Sequence, residues 1–263
     1  MKNIGVIGAS GRVGKLLLGA GCVPLKCDIR NLRSVEKAVI SVKPDIIVNL
    51  ASKSSPEWCE KKENFREMFD VNVRGVHSLG EVIRRHDVPA VTLSTDHVFP
   101  GKFYFNFKMK RWLKSGPYSE DYVRLFPVNQ YGMSKFAAES MAIMYDNMKI
   151  VRTSYLFDKE RLYPLADSYP TFIYRSFMHI NHFVESLLYY LENFNDMPKM
   201  LHISGSKTVS WADFMEALSL SNLKHKKEVE GFCPRPHKAG LVTTLSAKLG
   251  LPQYNYYDGL KLL

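Results

Sequence analysis

The segment from Ile4 to Gly14 constrains the fold of this chain more than any other part of the sequence. A short apolar run, Ile4 to Ile7, leads into Gly8-Ala-Ser-Gly11-Arg-Val-Gly14, and the residues from Val13 to Leu18 have the pattern of a helix start. A strand, a glycine-rich turn and a helix form the first unit of a parallel α/β sheet. The free N–H groups at such a helix start favour a bound pyrophosphate. The alternative is a plain βα turn without a ligand, which the strand-to-helix context disfavours.

Strands and helices alternate along most of the chain. Helices are predicted at Leu32–Val42, Phe69–Arg85, Tyr131–Asp146 and Phe183–Asn193, with strands at Asp45–Asn49, Ala90–Ser94, Lys149–Arg152 and Met200–Ile203. A further helix is predicted to open at Ser210, where Asp213 completes a capping box. The alternation predicts an α/β fold with a Rossmann-like, doubly wound parallel sheet. We expect residues 1–155 to form a dinucleotide-binding domain and 156–263 a small C-terminal substrate-binding lobe, with elements that cross back into the sheet.

The composition is that of a soluble protein. The chain has 263 residues, 46% of them hydrophobic, which is enough for a substantial core. No apolar run approaches the roughly 20 residues needed to span a bilayer, and the N-terminal residues begin a strand pattern instead of a signal peptide. A cytoplasmic protein without a membrane partner is therefore predicted. Its four scattered cysteines are interpreted as reduced thiols, with Cys59 a packing residue.

The chain is strongly basic, with a formal net charge of +10. A positive field concentrates anions, and we favour a small anionic ligand over nucleic acid because no nucleic-acid motif accompanies the charge. The segment Lys102 to Lys114 interleaves aromatic residues with cations. A lid over the substrate is the favoured interpretation, while a surface for single-stranded nucleic acid, a membrane or a partner protein is the alternative.

Two further motifs carry residue types suited to proton transfer. In Tyr131-Gly-Met-Ser-Lys135 the spacing places the phenol and the ammonium on one helix face, where a cation favours the phenolate. A solvated helix face is the alternative when this pair is taken alone. Ser94 to Phe99 ends a predicted strand, and a Thr95 hydroxyl there can hydrogen-bond a substrate oxygen beside Tyr131.

Together these motifs resemble the extended short-chain dehydrogenase/reductase family, and within it the branch of dTDP-4-dehydrorhamnose reductases. The resemblance covers nearly the whole chain, and its segments are Gly8 to Gly14, Lys43 to Ala51, Val71-Asn72, Ser94 to Phe99, Tyr118 to Glu120, Pro127 to Lys135 and Val151 to Ser154, with looser matches at Val209 to Phe214 and Arg235-Pro236. It implies NADPH-dependent reduction of the 4-keto group of a nucleotide-activated 6-deoxysugar, and it suggests a homodimer.

The resemblance also implies roles for individual residues. Tyr131 would donate the proton, Lys135 would bind the nicotinamide ribose, and Thr95 would complete the catalytic set. The implied cofactor-binding residues are Gly8, Ser10, Gly11, Arg12, Val13, Gly14, Asp28, Ile29, Leu50, Ala51, Ser52, Tyr131 and Lys135. The implied substrate-binding residues are Asp96, His97, Val98, Tyr155 and Arg235.

The region after the first helix bears on the choice of cofactor. The stretch from Leu18 to Asp28 is short for a second strand with its turns, and no carboxylate is clearly placed for the ribose 2′-hydroxyl. Arg12 and Arg30 could meet a 2′-phosphate instead. NADPH is therefore predicted, with NADH as the alternative.

The sequence departs from the family pattern in the proposed substrate site. His97 replaces the usual tyrosine, and Tyr155 stands where a tryptophan is common. Related 4,6-dehydratases place Asp-Glu after the threonine, whereas this chain has Asp96-His97, which disfavours dehydration. A regulatory subunit without turnover and a combined epimerase and reductase remain alternatives, the latter with His97 and Cys59 as its only candidate acid and base. No metal site is predicted, and His179 and His182 are interpreted as surface or pocket residues.

Overall fold

A six-stranded, wholly parallel sheet forms the centre of the structure, with the strand order β11-β7-β4-β3-β1-β2. The structure is a computed structural model that describes residues 2–101, 104–106, 111–113, 116–162, 173–218 and 233–263. The strands are β1 Ile4–Ile7, β2 Val23–Pro24, β3 Ile46–Asn49, β4 Ala90–Thr95, β5 Tyr104–Asn106, β6 Arg111–Leu113, β7 Met148–Thr153, β8 Leu156–Phe157, β9 Tyr174–Arg175, β10 Met178–His179, β11 Met200–His202 and β12 Val209–Ser210. The predicted Rossmann-like sheet is confirmed.

Helices cover both faces of this sheet, and others lie in the C-terminal lobe. They are α1 Arg12–Gly19, α2 Leu32–Val42, α3 Pro56–Cys59, α4 Phe65–Phe69, α5 Gly75–His86, α6 Gln130–Ile143, α7 Lys159–Leu162, α8 Ile180–Glu192, α9 Trp211–Ala217, α10 Thr244–Lys248 and α11 Tyr256–Leu260. Short 3-10 turns lie at Lys62–Asn64, Asp96–Val98 and Phe194–Asp196. The helix predicted from Phe69 to Arg85 is part of a longer run in which the π-helical segment Asp70–Arg74 joins α4 to α5.

Local signals define several helix ends. The Asn31 side chain caps α2 by accepting a hydrogen bond from Ser34 N, and α2 ends at Lys43, which has a left-handed backbone with a φ of 50°. The capping box predicted at α9 is confirmed, since Ser210 Oγ accepts from Asp213 N at 3.1 Å and Asp213 Oδ2 accepts from Ser210 N at 3.3 Å. These caps set where each helix begins relative to the sheet.

Alternate residues of the strands enter two different cores. Val6, Val48 and Leu201 face α1 and α8, whereas Ile7, Ile47 and Ile150 face α2, α5 and α6. Successive side chains of a strand point to opposite faces, so neighbouring apolar residues of one short strand fill both cores at once. This double burial fixes the register of the strands and with it the positions of the loops at their carboxyl ends.

The second half of the chain contributes to the main sheet as well as to a separate lobe. The strand β11 pairs with β7 at the sheet edge. The lobe itself has the short pairs β8 with β10 and β9 with β12, around an aromatic cluster of Phe157, Phe177, Trp211, Phe214 and Tyr256. The described residues after 155 therefore contribute both to the edge of the main sheet and to the lobe.

The loop after β4 contains an additional hairpin. The strands β5 and β6 pair antiparallel, with Phe105 opposite Trp112. The proposed lid Lys102 to Lys114 spans this hairpin, but its side chains and the backbone of residues 102–103, 107–110 and 114 lie outside the described residues. Within the part of the chain that is described, no helix combines the length and apolar character needed to cross a membrane.

We expect Leu187→Ala to lower the free energy of unfolding by about 2 to 5 kcal/mol, because Leu187 on α8 is fully buried in the core against α1 and its truncation leaves a cavity. Leu262→Ala is the matched control, since that side chain is 48% exposed and its loss should change stability by only about 0.5 kcal/mol. Urea unfolding of both variants measures the difference. Equal effects of the two substitutions would contradict this assignment of the core.

Candidate active site at the carboxyl ends of the parallel strands

The strand order reverses between β1 and β3, which places the loops after these two strands beside each other. Gly8 follows β1 with a φ of 80°, and a Cβ atom added there would lie 2.7 Å from Ala51 N. Only glycine combines this backbone conformation with so close an approach. In open α/β sheets, ligands bind at such a crossing point.

The start of α1 completes a cradle next to this turn. Gly11 caps the helix without a side-chain hydrogen bond to its first N–H groups, and Gly11 N donates to Gly8 O at 3.1 Å. Ser10 is exposed, and Val13 is partly buried. The backbone N–H groups of Arg12, Val13 and Gly14 lie in the first turn of α1 and are suited to the pyrophosphate of a dinucleotide.

The two arginines considered for a 2′-phosphate both have acidic partners. Arg12 Nη1 lies 2.6 Å from Asp158 Oδ2, and Arg30 forms a two-pronged ion pair with Asp28 at 2.7 and 2.9 Å. The hydrogen bonds from Arg30 lower the pKa of the Asp28 carboxyl. Ile29 is buried against Gly75, so a cofactor contact there would involve its backbone.

Asn72 links the loop after β3 to α6. Its Oδ1 accepts hydrogen bonds from Lys53 N at 2.7 Å and Ser52 Oγ at 3.1 Å, while its Nδ2 donates to Ser134 Oγ at 2.9 Å and Lys53 O at 3.1 Å. Asn72 lies in the π-helical segment, a kind of irregularity that is frequent at functional sites. The amide thereby fixes Ser52 and Lys53 relative to α6.

Close backbone packing brings Tyr131 to the end of β4. A Cβ atom on Gly132 would lie 2.4 Å from His97 O, so glycine allows α6 to touch the 3-10 turn after Thr95. Thr95 Oγ1 accepts from His97 N at 3.3 Å, and the rings of His97 and Tyr131 meet edge to face with their centroids 5.5 Å apart. The two motifs that the sequence separates by about thirty residues are therefore adjacent.

Lys135 occupies the same face of α6 one turn beyond Tyr131. It is 5% exposed, and burial lowers the pKa of its ammonium to about 8, although the nearby Glu139 opposes the shift. Glu139 Oε1 and Oε2 accept hydrogen bonds from Arg152 at 2.8 and 2.7 Å, and both residues are buried. The buried side chains of Lys135, Glu139 and Arg152 thus alternate in charge from α6 to β7.

Asp96 is held behind the turn and does not line an open surface. Its Oδ2 lies 3.3 Å from Arg175 Nε and accepts a hydrogen bond from Ser154 Oγ at 2.6 Å. Burial raises the pKa of the Asp96 carboxyl, and the Arg175 and Ser154 contacts oppose this. Val98 packs in a small core with Phe99. These placements indicate that Asp96 and Val98 support the turn.

The two remaining candidate substrate residues, Tyr155 and Arg235, make contacts in or next to the C-terminal lobe. The Tyr155 ring packs edge to face on Trp211 at 5.3 Å and on Phe177 at 5.5 Å. Arg235 is 9% exposed and forms an ion pair with Glu57 of α3. This ion pair joins the C-terminal segment to the loop that follows β3.

Several residues of this site were not among the predicted site residues. They are Asn72, Asn129, Glu139, Ser154 and Arg175. Asn129 had a usable signal, since asparagine directly before a helix is a favoured cap. Arg175 had none, because its contact with Asp96 depends on how the lobe folds back onto the sheet.

The two histidines of α8 have structural contacts. His179 caps α8 by accepting from Asn181 N, and the His182 ring stacks on Tyr254 with centroids 3.8 Å apart. Among the residues that the structure describes, no group of three or more histidine, cysteine, aspartate or glutamate side chains is arranged to hold a metal ion.

Comparison with known proteins identifies the family of this chain. Residues 1–164 match the model of the RmlD substrate binding domain. The chain belongs to the RmlD family. A dTDP-4-dehydrorhamnose reductase of Aggregatibacter actinomycetemcomitans is 32% identical over 168 residues, which are 60% of this chain and 52% of the relative. One from Sinorhizobium fredii is 29% identical over 206 residues, which are 71% of this chain and 64% of the relative.

A solved structure shows that the whole fold is shared with the RmlD family. The dTDP-4-dehydrorhamnose reductase of Bacillus anthracis, crystallised in complex with NADP, superimposes with a TM-score of 0.81 and 21% identity, covering 99% of this chain and 98% of that one. The alignments to the two curated relatives span only about half to two thirds of their length.

We expect Lys135→Met to stabilise this RmlD-family chain at pH 7 by an amount on the order of 3 kcal/mol. The folded-state pKa of about 8 lies below the ordinary value of 10.5, so the unfolded chain binds more protons between these pH values. The free energy of unfolding of the wild type therefore rises with pH across that window, and the advantage of the variant should disappear near pH 10.5.

Urea unfolding from pH 7 to 10.5 measures this difference. The matched control is Lys37→Met on α2, which makes the same substitution at an exposed lysine. A Lys135→Met variant that is no more stable than the wild type at pH 7 would contradict the conclusion that burial destabilises the Lys135 ammonium.

Proposed function

We propose that this protein is an NADPH-dependent reductase of the 4-keto group of a nucleotide-activated 6-deoxysugar such as dTDP-4-dehydro-L-rhamnose. The observation that carries the proposal is the contact between the Thr95–His97 turn and the Tyr131–Lys135 face of α6, at the strand ends that also border the glycine cradle. The curated relatives named as dTDP-4-dehydrorhamnose reductases and the NADP complex of the Bacillus anthracis enzyme support it.

The chain's own groups are suited to reducing a carbonyl. When bound, the nicotinamide cofactor supplies the hydride. Tyr131 holds the proton at its phenolic oxygen for the developing alkoxide, and the Thr95 hydroxyl orients the same substrate oxygen. Lys135 remains mostly protonated at neutral pH, since its pKa is about 8, and a neighbouring cation makes the phenol a better proton donor.

The Arg30 guanidinium is proposed to bind the 2′-phosphate of NADPH, together with Arg12. Its side chain is 48% exposed at the turn after β2, and its bidentate geometry toward Asp28 is the one that a phosphate would use. The phosphate would take over donors that now serve the Asp28 carboxylate. NADH has a hydroxyl in place of this phosphate, so Arg30 would not strengthen the binding of NADH.

The alternatives receive less support from the described residues. A regulatory subunit has no need of Tyr131 and Lys135 on the helix that packs against the Thr95–His97 turn. An epimerase needs groups that exchange a proton at ring carbons, but Cys59 is fully buried, burial raises its pKa to about 11, and its Sγ donates to Lys53 O at 3.5 Å. The homodimer that the resemblance suggests stays a prediction.

We expect Tyr131→Phe to lower turnover at least about 100-fold while leaving the affinity for NADPH unchanged, because the substitution removes the proton donor and little binding surface. The assay is the loss of NADPH absorbance with dTDP-4-dehydro-L-rhamnose generated in place. Tyr257→Phe, the same change on exposed α11, is the control and should retain full turnover. Tight NADPH binding without turnover by the wild type would favour the regulatory-subunit alternative.

We expect Arg30→Met to weaken NADPH binding by about tenfold and to leave NADH binding unchanged, because only NADPH carries the phosphate that pairs with the guanidinium. Fluorescence titration of both cofactors gives the two dissociation constants. Arg33→Met, an exposed arginine on the neighbouring α2, serves as the control. Parallel weakening of NADPH and NADH by Arg30→Met would refute phosphate recognition by this residue.

A further inference from the structure

The hydrogen bonds of Asn129 fix the orientation of its side-chain amide. Asn129 is 5% exposed and caps α6, with Oδ1 accepting from Gly132 N at 2.7 Å. Its Nδ2 donates to Pro234 O at 2.8 Å and lies 2.9 Å from His97 Nδ1. A backbone N–H can only donate and a backbone carbonyl can only accept, so the amide cannot be rotated by 180° without losing both of these bonds.

This orientation determines the protonation of His97. Because Nδ2 of Asn129 offers a hydrogen to His97 Nδ1, that ring nitrogen must accept and carries no proton. A neutral imidazole with a bare Nδ1 has its proton on Nε2. Protonation of Nδ1 would direct two N–H groups at each other across the 2.9 Å contact.

The ring that is fixed in this way lies among the proposed catalytic residues. His97 is 7% exposed, its backbone N–H donates to Thr95 Oγ1 at 3.3 Å, and its ring meets Tyr131 at 70° with centroids 5.5 Å apart. In this state neither ring nitrogen is available as a base, since the Nδ1 lone pair accepts from Asn129 and Nε2 already carries its proton.

We propose that Asn129 is a positioning residue that holds His97 in the neutral Nε2–H tautomer, so that His97 serves as a hydrogen-bond donor to an oxygen of the keto-sugar and not as a base at a ring carbon. The proposal rests on the reductase function for the identity of the substrate, and on the geometry of Asn129 for the tautomer. It assigns His97 a specificity role that excludes epimerisation through this residue.

The same amide connects the tautomer to the C-terminal lobe. The second hydrogen of Asn129 Nδ2 is donated to Pro234 O. Two further contacts hold the adjoining segment: Arg175 donates to Pro236 O at 2.7 Å, and Arg235 forms an ion pair with Glu57. One side chain therefore fixes both the donor at the site and the position of the segment that approaches it.

The tautomer can be measured without any assay of activity. In protein with 15N-labelled histidine, the His97 ring of the wild type should show an unprotonated Nδ1 and a protonated Nε2, and the resonances are assigned by their loss in His97→Gln. Asn129→Asp keeps the helix cap but replaces the donor with a carboxylate, so Nδ1 should become protonated. Asn255→Asp makes the same change at the cap of α11 and should leave His97 unaltered.

Two outcomes of this measurement would overturn the positioning role. One is a protonated Nδ1 in the wild type, and the other is an unprotonated Nδ1 in folded Asn129→Asp. Should that variant fail to fold, Asn129→Ser retains a capping oxygen without the N–H donors, and we expect both His97 tautomers to appear in it. A single, unchanged Nε2–H tautomer in Asn129→Ser would equally contradict the proposal.

The donor role is tested by kinetics. His97→Phe keeps a ring but removes the N–H group, and we expect the KM for the keto-sugar to rise about tenfold with NADPH affinity unchanged. His97→Gln retains an N–H donor and should restore most of the loss. An unchanged KM in His97→Phe would refute donation to the sugar. Absence of turnover in the wild type would refute the reductase function, while the NMR result would still decide the tautomer.

Discussion

The contact between Gly132 and the carbonyl of His97 is the constraint on which the site depends. It allows the first turn of α6 to touch the loop after β4, and this brings Tyr131 beside Thr95. A Cβ atom at residue 132 would lie 2.4 Å from this carbonyl, so a side chain there would push the helix away from the turn and displace Tyr131. The glycine cradle follows β1, two strands away from β4 in the same sheet, so the same contact also sets the relation of Tyr131 to a bound dinucleotide.

The helix α6 also carries buried charges, and burying them costs stability. Lys135 is an ammonium in an environment that favours its neutral form, and the nearby Glu139 offsets part of this cost. The buried Glu139–Arg152 ion pair contributes little net stability, but loss of one partner would leave the other charge buried and unpaired. The chain therefore keeps a destabilising group where its chemistry requires one, which is a common relation between stability and activity.

The sequence predicted those features whose causes are local. The glycine turn, the strands buried on both faces and the capping box of α9 depend on neighbouring residues, and the Tyr131–Lys135 pair depends only on helical spacing. The π-helical segment around Asn72 was not predicted, because a single widened turn has no sequence signal separate from that of the helix around it. The burial of Asp96 also escaped prediction, since its partner Arg175 is supplied by a distant part of the chain.

The brevity of β2 has a consequence for the behaviour of this chain in concentrated solution. The strand contains only Val23 and Pro24, and it is the last strand on its side of the sheet. Exposed strand edges offer a template on which strands of other molecules can add, and proline removes an N–H group from that template. With two residues at this margin, the β2 edge of the sheet offers almost no template on which intermolecular β-aggregation could propagate.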